Sequence, residues 1–277
     1  MKFLFPAHPI NAKVIDEYFH PQAEALAGPE GYALFSIENH TVKGVKPGDT
    51  VLYRGWMLNA GEYGLLSTLV GAAGGTMFTS LEQYTNTHYL PFWYHVISNL
   101  GVTAETQVYP IDYIESHPNG FETILRDELL RLRDRGWEKF FFKDFVKSLK
   151  TAGGSAVNNI EDAPHVIALM KQFRGSLEGG LCVRRFEEGL HGETRVFVVN
   201  RKPWAAFGDN VLSMGSEVLI VLEAVINRID SPFFTIDYAF DAGERVRIIE
   251  LGDGQVSDLV GNWTPALLNE ILQPVLA

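Results

Sequence analysis

Two strand-like runs, Phe233-Phe234-Thr235-Ile236-Asp237-Tyr238 and Val246-Arg247-Ile248-Ile249-Glu250-Leu251, each carry one acid among apolar neighbours. The stretch between them, Asp241-Ala242-Gly243-Glu244, has turn composition, so the pair reads as a β-hairpin. If the hairpin closes about Gly243-Glu244, Asp237 and Glu250 face one another, with Cβ atoms about 5 Å apart. Two carboxylates that close repel unless a proton or a cation lies between them. Flanking Ile236, Tyr238, Ile249 and Leu251 make the strands well buried, and buried acids want partners. Oxygen ligands with room left for phosphate suit Mg²⁺. The hairpin therefore reads as a metal site for a nucleoside triphosphate, against the plainer reading of solvent-facing acids on an edge hairpin. Asp253 and Gln255, just beyond, are further oxygen donors.

The chain has 277 residues, enough for two lobes. A net charge of −11 argues against a general nucleic-acid binder, which needs a basic field. The single cysteine, Cys182, excludes an internal disulfide and suggests a reducing, cytoplasmic setting. Its apolar neighbours Leu181 and Val183 favour a buried structural thiol. No window approaches the roughly 18 apolar residues of a membrane span, and Pro6 breaks the N-terminal apolar run too soon for a signal peptide.

Strands are expected at Lys2–Ala7, Thr50–Tyr53, Met77–Thr79, Glu138–Phe145, Gly180–Phe186, Thr194–Val199 and Trp204–Phe207, besides the hairpin. Helical character is expected in Asn11–Ala27 and Gly61–Gly75. A capping box, Ser80 with Gln83, starts a helix running to Leu100 with a kink at Pro91. Gly120–Arg135 is amphipathic, with Ile124, Leu129, Leu130 and Leu132 on its apolar face. Ala163–Phe173 and Val218–Ile229 follow, and Thr264-Pro265 opens the last helix. The class is mixed α/β (α+β). The boundary is drawn at 1–110 against 111–277, the latter in two lobes of about 111–183 and 184–277.

Three further groups could carry chemistry. Lys143 ends the apolar strand Phe140-Phe141-Phe142, and Lys147 and the loop Gly153-Gly154-Ser155 follow. A lysine there wants an anion, and glycine-rich backbone approaches phosphate closely. No Walker A motif is present, and a snorkelling edge lysine beside an ordinary loop is the alternative. In Gly192-Glu193-Thr194-Arg195-Val196-Phe197, Glu193 and Arg195 project to one side of a strand, and the guanidinium fork of Arg195 suits phosphate oxygens. His191 beside it reads as an exposed turn residue. In the first half, Tyr53-Arg54-Gly55-Trp56 ends a strand, where Arg54 could meet an acidic substrate. His88 and His95 share a helix face, fitting aromatic packing better than zinc, which would need a third ligand.

Taken in order, the strand lysine, glycine loop, charged hinge, Glu-x-Arg strand, helix and paired acids resemble the ATP-grasp fold over roughly residues 111–277. The chain looks like a member of a bacterial and phage clade near the glutathione synthetase and RimK-like enzymes. The first half would be the family's pre-ATP-grasp domain. The resemblance implies an ATP- and Mg²⁺-dependent carboxylate–amine ligase. Such an enzyme forms an amide or peptide bond through an acyl phosphate from small-molecule or peptide substrates. It further implies that Lys143 and Lys147 meet ATP phosphates, and that Arg185 and Phe186 meet adenine. Glu187 or Glu188 would lie near the ribose. Glu193 would face the nucleotide, Arg195 would face the phosphates or the acyl phosphate, and Asp237, Glu250 and Asp253 would hold Mg²⁺. A phosphotransferase, or a nucleotide-binding protein without chemistry, would share much of this pattern. The chain departs from the family in three places. Gly252 stands where Glu-x-Asn would put asparagine, no lysine lies between Lys46 and Lys139, and Phe207 follows Trp204-Ala205-Ala206 where arginine is usual.

Overall fold

The computed structural model describes all residues except 29–30, 119, 147–153, 209, 213 and 277. Among these the fold is mixed α and β, with strands gathered into three sheets. The first sheet contains β1 (Lys2–Pro6), β2 (Ala33–Ser36), β3 (Thr41–Lys43), β4 (Thr50–Tyr53) and β5 (Thr76–Met77), in the order β3-β2-β1-β4-β5. Parallel pairing with β2 on one side and β4 on the other leaves β1 wholly buried. That is why it reads as a continuous apolar run rather than an alternating one. Phe3 and Phe5 enter one core, while Leu4 enters another with Tyr63, Leu66 and Val70 of the helix Ala60–Ala72. A capping box of Asn59 with Glu62 starts that helix.

The second sheet contains β6 (Thr106–Pro110), β7 (Phe140–Asp144), β8 (Ala156–Val157) and β9 (Gly180–Arg185), ordered β6-β9-β7-β8 and antiparallel throughout. Gly180 allows β9 to start against β6. Its φ is +142°, and a Cβ there would lie 2.2 Å from the Tyr109 carbonyl oxygen, so no other residue fits. Helix Phe121–Asp134 covers the sheet with Phe121, Leu125, Leu129 and Leu132. The expected face is thus rotated: Leu130 points out, and Phe121 and Leu125 replace it and Ile124.

The third sheet contains β10 (His191–Val199), β11 (Lys202–Phe207), β12 (Asn210–Leu212), β13 (Phe233–Phe240) and β14 (Val246–Asp253), ordered β12-β11-β10-β13-β14. Phe197, Val199, Phe233, Trp263, Leu268 and Leu272 bury together with Phe3 and Phe5. This shared core joins distant segments into one compact unit, Met1–His88 with Glu193–Tyr238 and Glu250–Ala277. The other unit is Tyr89–Gly192 with Ala239–Ile249. The division differs from a single break at residue 110 because the C-terminal apolar residues complete the core of the first sheet.

Two further expectations are corrected. The helix expected from Ser80 to Leu100 is two helices, Leu81–His88 and Leu90–Ile97, with extended backbone at Tyr89. Pro91 sits in the first turn of the second helix, where its missing N–H costs nothing, so it starts a helix rather than kinking one. The capping box itself forms: Ser80 Oγ accepts from Gln83 N at 3.1 Å, and Gln83 Oε1 accepts from Ser80 N at 3.0 Å. No helix among the described residues is long and apolar enough to cross a membrane.

Candidate active site

The hairpin forms, with Asp241 N–H donating to the Arg245 carbonyl and Glu244 N–H to that of Asp241. Further down, Gly254 N–H donates to the Phe233 carbonyl and the Thr235 hydroxyl reaches that of Gly252. The Asp241–Arg245 contact alone would set Asp237 opposite Ile249, and the Gly254–Phe233 contact sets it opposite Glu250, so the ladder shifts by one residue between its two ends. Glu250 lies close enough for its charge to act on both Glu193 and Arg195. On the other side of β13 lies β10, and from it Arg195 grips Asp237 in a bidentate pair, Nε to Oδ1 at 2.7 Å and Nη2 to Oδ2 at 2.5 Å. The third guanidinium nitrogen, Nη1, donates to the Asp258 carbonyl at 3.1 Å. Trp263 Nε1 donates to the Arg195 carbonyl at 3.0 Å, which fixes the strand beneath the side chain.

Glu193, two residues before Arg195, projects to the same side. One face of the sheet thus carries Glu193, Arg195, Asp237 and Glu250. Burial and then the charges of Asp237 and Glu250 push the Glu193 carboxyl above its ordinary range, against the pull of Arg195. Burial disfavours the charge on Arg195. The pair with Asp237 and the charges of Glu250 and Asp258 outweigh that and hold it above its ordinary value. Glu193, Asp237 and Glu250 gather their carboxylates about Arg195, oxygen donors of the kind a divalent cation takes. No group of three His, Cys, Asp or Glu side chains among the described residues closes into a cage. Mg²⁺ commonly takes only one or two carboxylates and completes its shell with phosphate and water, so Asp237 and Glu250 fit it.

Asp253 belongs elsewhere. Alternation along β14 turns it to the face opposite Glu250, and it is fully buried. Its Oδ1 accepts from Gln255 N at 2.9 Å and Nε2 at 3.1 Å, and Oδ2 has no hydrogen-bond partner among the described residues. Burial pushes its carboxyl up to about 7 against the Gln255 bonds and Arg54. It is a member of the core rather than a metal ligand on the Asp237 face. Gln255 is likewise held inside, donating to Tyr63 Oη and accepting from Tyr53 N. At Gly252, a Cβ would lie 3.0 Å from both Ser257 Oγ and Thr235 Oγ1, and those hydroxyls are 2.8 Å apart. Two hydroxyls therefore occupy the space an asparagine would take.

Arg54 is also corrected. It is 1 % exposed, and its guanidinium donates to Gln22 Oε1 and to the carbonyls of Gly254 and Ser257. It clamps the segment after β14 and leaves no surface for an acidic substrate.

In the other unit, Lys143 is buried on β7 opposite Cys182 of β9. Lys147 and Gly153 lie outside the described residues; Gly154 has φ +61° and Ser155 is buried. Arg185 N–H donates to the Glu105 carbonyl and Phe186 N–H to that of Lys139. Lys139 pairs with Glu188 and stands 5.8 Å above the Phe186 ring. Arg247 holds Glu187, Nε to Oε1 at 2.7 Å. The hinge acids thus have basic partners within their own unit. Cys182 is buried and its thiol is pushed up to about 12 by burial, as a structural thiol should be. His88 is buried beside Tyr84, whereas His95 is exposed on the next helix. Asp258 was not foreseen: it sits in a loop whose sequence gives no sign of its contacts.

Mixed sheets with a Glu-x-Arg strand beside an acid-bearing hairpin fit the ATP-grasp fold. The family model described as "ATP-grasp domain, R2K clade family 3" matches residues 133–271, and the chain belongs to that family. Solved structures similar to it include the D-cycloserine synthetase DcsG, at 12% identity and TM-score 0.67, with all of both chains covered. D-alanyl-alanine synthetase A from Vibrio cholerae O1 biovar eltor is similar at 11% identity and TM-score 0.62, covering 98% of this chain and 93% of that one. The ATP-grasp ligase PsnB, solved with its precursor peptide PsnA2 and AMPPNP, gives 13% identity and TM-score 0.59, with 98% and 96% covered. At such identities the likeness is one of fold. No curated protein matches the chain significantly.

Proposed function

We propose that this protein is an ATP- and Mg²⁺-dependent ligase that joins a carboxylate to an amine. The observation that carries the reading is the bidentate Arg195–Asp237 pair flanked by Glu193 and Glu250 on one sheet face. In this reading Asp237 and Glu250 hold Mg²⁺, with Glu193 rather than Asp253 as the further oxygen donor. Bound there, the ion would offset charge on the transferring phosphoryl group. Arg195 already has its fork aimed at an anion, and Asp237 keeps it oriented until phosphate oxygens compete for it. Lys143, Lys147 and the hinge from Arg185 to Glu188 form the nucleotide side of the proposal. The substrate carboxylate attacks the γ-phosphorus and ADP leaves. The amine then attacks the acyl carbon and phosphate leaves, giving the amide.

ATP titration calorimetry with and without Mg²⁺ tests the metal assignment. Asp237→Asn and Glu250→Gln should each weaken ATP binding at least about tenfold with Mg²⁺ and little without it. Unchanged affinity in both variants sinks the assignment. Amine-dependent release of ADP and phosphate across a panel of acids tests the chemistry, and a stable phosphate ester in place of an amide would make the protein a phosphotransferase.

A further inference from the structure

The first unit carries a second prepared surface beside Arg195. Tyr18 and Trp56 are 51 % and 49 % exposed, unusual for two large aromatics in contact. Their ring centroids are 4.8 Å apart with planes at 32°, and buried Phe19 backs both, edge-on to Trp56 at 5.0 Å. Neither ring is loose. Trp56 Nε1 donates to Asp16 Oδ2 at 2.9 Å, and its carbonyl accepts from Tyr53 Oη at 3.1 Å. Gly55 lets that happen: a Cβ there would lie 2.2 Å from the Tyr53 hydroxyl. Tyr18 Oη donates to Asp258 Oδ1 at 3.0 Å, and Asp258 is the residue whose carbonyl accepts from Arg195. One residue thus ties the aromatic pair to the proposed phosphoryl-transfer face.

Charge chooses the ligand. Asp16 and Asp258 flank the rings, and neither makes a salt bridge with a basic side chain among the described residues, although the charges of Arg195 and buried Arg54 act on Asp258. The rings' own negative faces add to that field. A carboxylate substrate would be repelled here, whereas an ammonium or guanidinium would gain both from the acids and from the rings. We propose that the Tyr18–Trp56 platform, flanked by Asp16 and Asp258, binds the cationic group of the amine substrate and sets specificity for it. The assignment to the amine rests on the ligase reading; the cation site stands on the geometry alone.

The test is a fluorescence titration of the full chain at constant ionic strength with L-arginine amide, L-lysine amide and tetramethylammonium. The neutral comparison is 3,3-dimethylbutan-1-ol. Trp56→Phe isolates the Trp56 signal from that of the other tryptophans. The cations should bind saturably and about tenfold tighter than the neutral probe. Trp56→Ala should abolish that binding. Asp258→Asn, which keeps an oxygen to accept from Tyr18, should weaken it about threefold or more through lost charge alone. ATP affinity should be unchanged in Trp56→Ala. Equal binding of the neutral probe, or cation affinity unaltered in Trp56→Ala, would overturn the proposal. So would a concentration-dependent mass in sedimentation that Trp56→Ala removes, because a second copy of the chain would then occupy the patch. Cation binding without ATP binding would leave the platform standing and remove the ligase reading; the reverse would do the opposite.

Discussion

Replacing one member of the Arg195–Asp237 pair should cost more than replacing both. The side chains are 17 % and 9 % exposed and joined by two short hydrogen bonds. At about 4 Å between charge centres and an effective dielectric near 20, their attraction is roughly 4 kcal/mol. Removing water from two charges takes back most of that, so the pair's net worth is near zero, while an orphaned partner costs about 3–5 kcal/mol in a fully buried site. Here Glu250 and the Asp258 carbonyl remain beside Arg195, so Asp237→Leu should cost about 2–3 kcal/mol. Arg195→Met leaves Asp237 facing Glu193 and Glu250 without its cation and should cost about 3 kcal/mol. The double variant should cost no more than about 2 kcal/mol, giving a coupling of about 3 kcal/mol. Urea midpoints followed by tryptophan fluorescence and far-UV circular dichroism together would measure all four proteins. Single costs that add within about 0.5 kcal/mol would refute the reasoning, because the pair would then behave as two independent surface charges.

Asp253 should make stability fall with rising pH. Its folded-state carboxyl holds a proton up to about 7, while the unfolded one releases it near 4. The folded chain therefore binds more protons between those values, and stability drops across that window. Asp253→Asn should flatten the slope and raise stability at pH 8 by about 1–3 kcal/mol, as urea midpoints at pH 5 and 8 would show. Gly252→Asn, which restores the family's residue, should cost about 1–3 kcal/mol through overpacking against Thr235 and Ser257. Thr235→Ala combined with Ser257→Ala should relieve part of that loss in thermal melts. Lys143→Met should weaken ATP binding by about tenfold or more in calorimetry while leaving the melting temperature within a few degrees of wild type.

The elements that the sequence made legible are those whose local chemistry settles the matter. β1 shows as a buried apolar run because two parallel neighbours cover it, the Ser80–Gln83 box forms as its spacing requires, and Thr264 accepts from Leu267 N at the start of the last helix. The short strands β2, β3, β6, β8 and β12 were not visible, since two to five residues of ordinary propensity become strands only when a neighbour supplies the ladder. The candidate site divides along the same line. Strand period pairs Glu193 with Arg195 and the hairpin pairs Asp237 with Glu250, but that the two pairs meet depends on β10 lying beside β13, which local sequence does not fix. Arg54 and Asp253 could not be placed, because each ends a strand and its direction depends on what packs there. Gln22, from a helix more than 30 residues earlier in the chain, closes on Arg54, and Gln255 turns back to bond Asp253. The same limit hid Trp56. In Tyr53-Arg54-Gly55-Trp56 the charged residue looks like the one meant for solvent, yet Gln22 and two carbonyls draw Arg54 inward while Tyr53 and Asp16 hold Trp56 at the surface. A polar side chain goes where its hydrogen bonds are, and in this strand end those partners come from across the fold.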